Sequence, residues 1–141
     1  MEILVDNRYN QIYFDRQTSI HYHITKKDTM HMSEEEFKDM LFVWKKSIAT
    51  IRPQYSLVDN RNFNFFIAPD LQVWVSQNIT NPAVEKLDKF CFVMPEEFIA
   101  NLSITQLAQE ANQTNNEKKV HFFGDFEKAK QWILGNSQVK Q

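Results

Sequence analysis

The sequence predicts an α/β domain in which helices cover a mixed sheet of five or six strands. Hydrophobic spacing after Ser33 switches repeatedly between the helical period and short extended runs, and the first 25 residues contain period-two alternation. Helices that alternate with strands favour parallel strands joined by crossovers, whereas the N-terminal strands add antiparallel pairing at one side. A length of 141 residues leaves room for one domain, residues 1–141.

The N-terminal segment predicts three strands. Residues 2–6 form a short one, and residues 11–15 and 19–25 form a hairpin joined at Arg16-Gln17-Thr18. In the third strand, apolar residues alternate with Ser19, His21 and His23. This pattern predicts a half-buried antiparallel strand whose outer face is polar.

The clearest helix begins after Ser33. Ser33 and Glu36 have the spacing of a capping box, and apolar residues then recur every three or four positions on one face. That face consists of Phe37, Met40, Leu41, Trp44 and Ile48. The pair Arg52-Pro53 ends the helix, since a residue before proline is pushed out of the helical region.

The remaining chain predicts alternating elements. Strands are expected at Tyr55 to Asp59, Leu87 to Met94 and Lys119 to Phe123. Helices are expected from Pro69 to an interruption at Asn81-Pro82, from Pro95 to Asn101 with a restart at Ser103, and from Asp125 to Gly135. The polar segment from Glu110 to Lys119 predicts a surface loop.

Composition excludes several classes of function. With 16 basic and 18 acidic residues and a net charge of −2, the chain has no broad positive field for nucleic acid. It contains no apolar run of about 18 residues and no signal peptide pattern, so we expect a cytoplasmic protein without a membrane span. The single Cys91 cannot form an intramolecular disulfide, and the only two glycines cannot build a phosphate-binding loop. We therefore expect no cofactor.

Four segments resemble a known family. They are Met32 to Phe37 at the first helix, Tyr55 to Arg61, Phe92 to Ser103, and Phe122 to Leu134. Together they resemble the SpoIIAA-like fold, the group that includes STAS domains and relatives of lipid-binding CRAL-TRIO domains, and in particular its uncharacterised bacterial members. The resemblance covers nearly the whole chain and implies a regulatory or ligand-binding module.

One departure from that family changes the expected mechanism. In the anti-sigma-factor antagonists that the chain resembles, a phosphorylatable Ser or Thr follows the strand that matches Tyr55 to Asp59. Here Asp59 is followed by Asn60-Arg61-Asn62-Phe63, which carry no hydroxyl. The sequence therefore predicts no phosphorylation-gated switch at this position.

The segment Asp59-Asn60-Arg61 is the first candidate site. It follows a predicted parallel strand, and open α/β sheets bind ligands outside such strand ends. Arg61 could bind a carboxylate or phosphate through its guanidinium while Asp59 orients it. Alternatively, Asp59 and Asn60 form a turn and Arg61 is exposed. If Arg61 binds a ligand, Arg61→Ala should weaken binding with little change in Tm.

An aromatic segment follows directly. Phe63, Phe65, Phe66 and Ile67 could line an apolar pocket or present a surface to a protein partner. Alternatively, they form an extra strand or loop packed on the core. We include Phe63 and Phe65 with Asp59, Asn60 and Arg61 as candidate ligand- or partner-binding residues.

The histidines offer a second candidate. His21 and His23 project to the same face of a strand, and with a carboxylate such as Asp28 they could bind zinc. The alternative is the polar outer face described above, and we predict no metal and no catalytic residues. His121 lies in a predicted strand and is expected to be structural.

These observations favour a non-enzymatic regulatory or ligand-binding module that docks a protein partner or a small apolar or amphipathic ligand between Asp59 and Ile67. One alternative is a small enzyme that uses His21, His23 and Asp59. Another is a homo-oligomeric scaffold, a homodimer in the simplest case, formed by edge strands near the N-terminus.

Overall fold

The computed structural model describes residues 1–99 and 120–135. Six strands form one mixed sheet in which the spatial order follows the chain order. The strands are β1 (Glu2–Asp6), β2 (Asn10–Asp15), β3 (Ile20–Thr25), β4 (Tyr55–Asp59), β5 (Lys89–Val93) and β6 (Val120–Phe123). β1, β2 and β3 pair antiparallel, whereas β3 to β6 pair in parallel. The predicted fold class is therefore correct.

The helices are α1 (Glu34–Ile51), α2 (Pro69–Val75), α3 (Asn81–Val84) and α4 (Phe126–Leu134), with a 3-10 helix at Lys27–His31. α1, α2 and α4 begin where the sequence predicts them, whereas the 3-10 helix was not predicted. The predicted capping box is present, because Ser33 accepts from the Glu36 amide while Glu36 accepts from the Ser33 amide. α1 ends at Arg52, whose φ of 55° is left-handed. None of the helices in the described part is long and apolar enough to cross a membrane.

Part of the predicted helix after β5 can be checked. Residues 96–99 are helical, following Pro95 as expected. The predicted restart at Ser103 and the predicted loop from Glu110 to Lys119 lie outside the described residues.

The two faces of the sheet are covered by different helices. On one side, which we call the α1 face, Ile12, Val58 and Phe90 pack against α1 and the α2–α3 segment. On the other side, the α4 face, Tyr22, Leu57 and Cys91 pack against α4. Because successive side chains of a strand alternate between faces, the central strands contribute to both cores.

This arrangement corrects the prediction for β3. Its histidines do not form a polar outer face, since His21 is 0% and His23 is 2% exposed. β3 pairs antiparallel with β2 but parallel with β4, so it lies inside the sheet and not at its edge. The histidine-bearing face points towards α1. The alternation of polar and apolar residues in β3 therefore reflects two buried faces, one that carries the histidines and one that is mainly apolar.

The interruption predicted at Asn81-Pro82 takes the form of a π turn. Residues Ser76–Thr80 form one π-helical turn between α2 and α3. Pro82 has no N–H to donate to the carbonyl of Asn78, four residues earlier. That carbonyl instead accepts from Lys45 Nζ of α1 at 2.8 Å, which compensates for the lost bond. The helical direction thus continues past the proline.

Candidate functional site: a cavity at the sheet edge

A cavity of about 190 Å³ lies on the α1 face of the sheet. It is situated where β3, β4 and β5 end, and Thr25, Asn60 and Phe92 line it there. The carboxyl ends of parallel strands share one edge of a sheet, and this is the edge at which open α/β folds bind ligands. The chain therefore has an opening where its topology favours one.

The walls of the cavity are mainly apolar. α1 contributes Phe37, Met40 and Trp44, all of which are buried, and β5 contributes Phe90. The rim consists of half-buried side chains from the segment after β4 and from the α2–π turn region. These rim residues are Asn60, Phe63, Ile67, Val75 and Thr80. A ligand here would contact aromatic surface on several sides.

The polar groups in the cavity wall are held by partners at the strand ends. The Thr25 hydroxyl lies 3.1 Å from the Asp59 carbonyl and 2.9 Å from Asn60 Oδ1, and both can accept its proton. The Asn60 amide donates to the carbonyl of Val93 at 2.8 Å. Asn60 is therefore fixed by both neighbouring strands.

His23 is the ionisable side chain in the wall. Its Nε2 lies 2.9 Å from Asn10 Nδ2, which donates to it in the neutral ring. Burial, with a smaller contribution from the neighbouring His21, lowers the pKa of His23 to about 3. At neutral pH the wall is therefore uncharged at this position.

Trp44 is the exception among the polar groups. Its side chain lines the cavity and is 3% exposed, and its indole Nε1 is buried without a hydrogen-bond partner in the described structure. An unmet buried donor is destabilising by about 1–3 kcal/mol. The indole N–H of Trp44 is thus a buried donor for which the described residues provide no acceptor.

Asp59 and Arg61 lie on the other side of the sheet. Arg61 Nε and Nη2 donate to the two carboxylate oxygens of Asp59 at 3.0 and 2.7 Å, and the Arg61 amide donates to Asp59 Oδ1. The guanidinium also lies 5.8 Å from the ring centre of Phe126 in α4. The planar edge proposed to bind a ligand is therefore occupied by Asp59.

The aromatic segment divides between packing and lining. Phe65 stacks on Phe37 at 4.7 Å, and Phe63 lies 6.0 Å from the same ring, so both pack on α1. Phe63 and Ile67 also line the cavity. Phe66 points away and is 82% exposed. Of the five candidate residues named from sequence, the structure brings Asn60 and Phe63 to the cavity.

The structure does not assemble the cluster of His21, His23 and Asp59. The two histidines lie on the α1 face, whereas the Asp59 carboxylate lies on the α4 face, where Arg61 joins it to Phe126. His21 Nε2 instead lies 2.7 Å from Ser47 Oγ of α1, and burial lowers the pKa of His21 to about 4. Within residues 1–99 and 120–135, no group of three His, Cys, Asp or Glu side chains could hold a metal ion.

Sequence reasoning missed most of the cavity wall. The apolar spacing places Phe37 and Trp44 on the inward face of α1 and Ile79 in an apolar stripe. It does not distinguish a side chain that is packed on all sides from one that lines a cavity. The available signal was Pro82, because a proline inside a helix disturbs the helical hydrogen bonds. The disturbance here takes the form of a π turn, and π turns are frequent at functional sites. Here the π turn contributes Ile79 and Thr80 to the cavity.

Comparison with known proteins finds no match: no family model, curated protein or solved structure is similar enough to indicate a relative. The site must therefore be interpreted from its own geometry.

Proposed function

We propose that this chain is a non-enzymatic binding module that holds a small apolar or amphipathic molecule in the cavity beneath α1. The observation that carries the proposal is the cavity itself, about 190 Å³ of mainly apolar space at the carboxyl ends of parallel strands. An engineered apolar cavity of roughly 150 Å³ is enough to bind benzene. The volume is therefore adequate for a ligand with one ring.

The opening of the cavity supports the proposal. The space is partly open to solvent and not sealed within the core, so a small molecule can enter it from the rim. A ligand that covers the apolar wall removes that surface from water, which is favourable.

The kinship with SpoIIAA-like domains forms part of this proposal. A mixed sheet with N-terminal antiparallel strands is what the resemblance implies, and it supports the kinship at the level of architecture. Since no hydroxyl follows Asp59 in the matching loop, we propose regulation by ligand occupancy and not by phosphorylation. A cytoplasmic location is part of the same proposal.

Exposed apolar residues favour a second candidate function, assembly with another protein chain. β1 is an edge strand of the sheet, and its Ile3 is 62% exposed. An unpaired edge of this kind can add a strand from a second copy. Sedimentation of the purified protein distinguishes a homodimer from a monomer, and a monomer at high micromolar concentration would argue against this candidate.

A cavity-filling variant tests ligand binding. Val75 is half-buried and lines the cavity, whereas Val73 of the same helix is 54% exposed and does not. We expect Val75→Phe to abolish stabilisation by toluene and Val73→Phe to preserve it. At ten times its Kd, a ligand specific for the folded state adds about 1.4 kcal/mol. This raises Tm by about 3 to 5 °C.

Thermal unfolding with and without toluene measures both variants. Toluene that fails to raise the Tm of the wild-type protein, or raises it equally in Val75→Phe, would contradict binding in the cavity. Native mass spectrometry of protein purified from its own host provides a second readout, because a retained small molecule appears as an added mass together with the assembly state.

A further inference from the structure

The outward face of α1 carries two large apolar side chains that the described part of the chain leaves nearly half exposed. Phe42 is 47% and Val43 is 46% exposed, in the middle of a helix whose other exposed positions are mainly charged. Phe42 also meets the half-buried Trp74 of α2 edge to face, with ring centres 5.5 Å apart. This apolar surface is separate from the cavity and from the edge of β1, so it points to a property beyond the function proposed above.

Two side chains of opposite charge flank the apolar pair. Asp39 precedes it and Lys46 follows it at the three- and four-residue spacing that keeps side chains on one face of a helix. Both are exposed, and neither side chain makes a hydrogen bond or ion pair with a described residue. In contrast, Lys38 and Lys45 of the same helix are held by partners within the chain. The unpaired charges therefore lie on either side of an uncovered apolar centre.

The order of these side chains makes the face complementary to itself. Asp39 and Lys46 are about two turns apart, roughly 10.5 Å along the helix, and the midpoint between them falls between Phe42 and Val43. A two-fold axis through this midpoint, perpendicular to α1, sets a second copy of the helix antiparallel to the first. Asp39 of each copy then faces Lys46 of the other, while the apolar residues meet at the centre. Closed dimers are built from self-complementary contacts of this kind.

We propose that this chain forms a symmetric homodimer through the outward faces of two antiparallel α1 helices. The apolar centre contributes most of the affinity, because contact between the two copies removes Phe42 and Val43 from water. The two pairs of Asp39 and Lys46 contribute less, since exposed ion pairs stabilise weakly, but they fix the orientation. A parallel arrangement is disfavoured because it sets like charges opposite each other.

Charge reversal tests this register. Asp39→Lys sets like charges opposite each other at both ends of the contact, and so does Lys46→Asp. Each substitution should therefore raise the Kd of the dimer about tenfold or more. The double variant restores opposite charges and should return the Kd close to the wild-type value. A mixture of the two single variants should form a heterodimer more tightly than either variant forms a homodimer. Sedimentation equilibrium from low to high micromolar concentration measures each Kd.

The fold of a single chain should tolerate these substitutions. Asp39 and Lys46 are exposed and have no partner among the described residues, so the Tm of dilute protein should stay at the wild-type value. Rescue by the double variant and by the mixture distinguishes a lost contact from a damaged fold, because a damaged fold would not be repaired by a second reversal.

Cysteine cross-linking locates the contact independently of charge. The native Cys91 is buried, so an introduced cysteine is the one accessible thiol. Val43→Cys lies beside the two-fold axis and should form an intermolecular disulfide on oxidation with copper phenanthroline. Ile3→Cys on the exposed edge of β1 is the control and should not. Adding Asp39→Lys to the Val43→Cys chain should suppress the cross-linked product.

The outcomes separate the α1 dimer from other forms of assembly. A chain that stays monomeric at high micromolar concentration overturns the proposal, and so does a Kd that neither reversal changes. A double variant as weak as the single variants would show that Asp39 and Lys46 do not face each other, which also overturns it. Cross-linking through Ile3→Cys in place of Val43→Cys would assign the contact to β1 instead. Toluene binding tests the cavity separately, so either proposal can fail alone.

Discussion

Asp59 and Arg61 were predicted from the sequence to bind a ligand, but in the structure they bind each other. Asp59 is 6% exposed, and the Arg61 guanidinium covers both of its carboxylate oxygens while remaining partly exposed itself. A bidentate pair of this kind is stronger than a single hydrogen bond. The pair closes the turn after β4 and connects it to Phe126 of α4.

We predict that Arg61→Ala destabilises the protein. It leaves the Asp59 carboxylate buried without its cation, and we expect a loss of about 1–3 kcal/mol in the free energy of unfolding, measured with urea. Arg61→Lys keeps the charge but loses the planar two-point contact, so an intermediate loss is expected.

A double-mutant cycle with Asp59→Ala checks the origin of that loss. A coupling energy near zero between the two positions would show that the contact contributes nothing to stability. In that case the sequence expectation, weaker ligand binding with an unchanged Tm, would become the better interpretation of Arg61.

The chemistry of Arg61 could be predicted from the sequence, but its partner could not. A guanidinium beside a carboxylate at a strand end fits both a ligand site and an internal pair. Which one forms depends on whether the side chain of Asp59 turns towards Arg61, and that is set by the two-residue turn and by the burial of the carboxylate on the α4 face. The spacing of residues in the sequence reveals neither the conformation of the turn nor the burial of the carboxylate.

At the scale of elements, the π turn depends on a neighbouring helix. The Asn78 carbonyl, left without its usual donor by Pro82, accepts from Lys45 Nζ, while Asn78 Nδ2 donates to the Trp74 carbonyl. Two side-chain hydrogen bonds thus hold the π turn at Asn78. The π turn in turn determines where Ile79 and Thr80 meet the cavity.

We predict that Lys45→Met destabilises the α2–π–α3 segment. The aliphatic stem is retained, but the charge-assisted hydrogen bond to Asn78 is lost, and a cost of about 1–2 kcal/mol is expected. Lys46→Met is the matched control, since Lys46 is exposed on the same helix. Urea unfolding gives the magnitude, and hydrogen exchange of amides in residues 76–84 gives the location. Equal effects of the two substitutions would contradict the role of Lys45.

Elements were more predictable than their junctions. Capping boxes and apolar stripes are local, so the start of α1 and the start of α4 at Asp125 follow from a few adjacent residues. The fate of Asn81-Pro82 depends on a lysine 36 or 37 positions away in the chain, because Lys45 must reach across from another helix. The local sequence indicates that the helix is disturbed at Asn81-Pro82, but it does not indicate that a π turn forms.

At the scale of the molecule, the sheet was predictable and the cavity was not. Alternation of helices with buried strands constrains parallel pairing, and the early strands had to pair antiparallel. The cavity, in contrast, is space that α1, the segment after β4 and the π turn leave between them. Such a space depends on how three elements fit together, and hydrophobic spacing reports only which side each element buries.

The two buried histidines lead to a prediction about how the stability of the whole molecule depends on pH. Burial lowers the pKa of His21 to about 4 and that of His23 to about 3, from an ordinary value of 6.5. Both rings face neutral partners, Ser47 and Asn10, so the folded state keeps them uncharged. The unfolded chain takes up two protons below about pH 6.5, and the folded chain does not.

Stability should therefore be at its full value above pH 6.5 and should fall as the pH drops from 6.5 towards 4. Two protons bound by the unfolded state give a slope of nearly 3 kcal/mol per pH unit in the lower part of that window. Urea unfolding between pH 4.5 and 7.5 measures the slope. His23→Gln should reduce it by about half, while substitution of the exposed His121 by Gln should leave it unchanged. A free energy of unfolding that stays level from pH 7.5 to 5 would mean that the α1 face admits charge, and it would remove the basis for a neutral cavity.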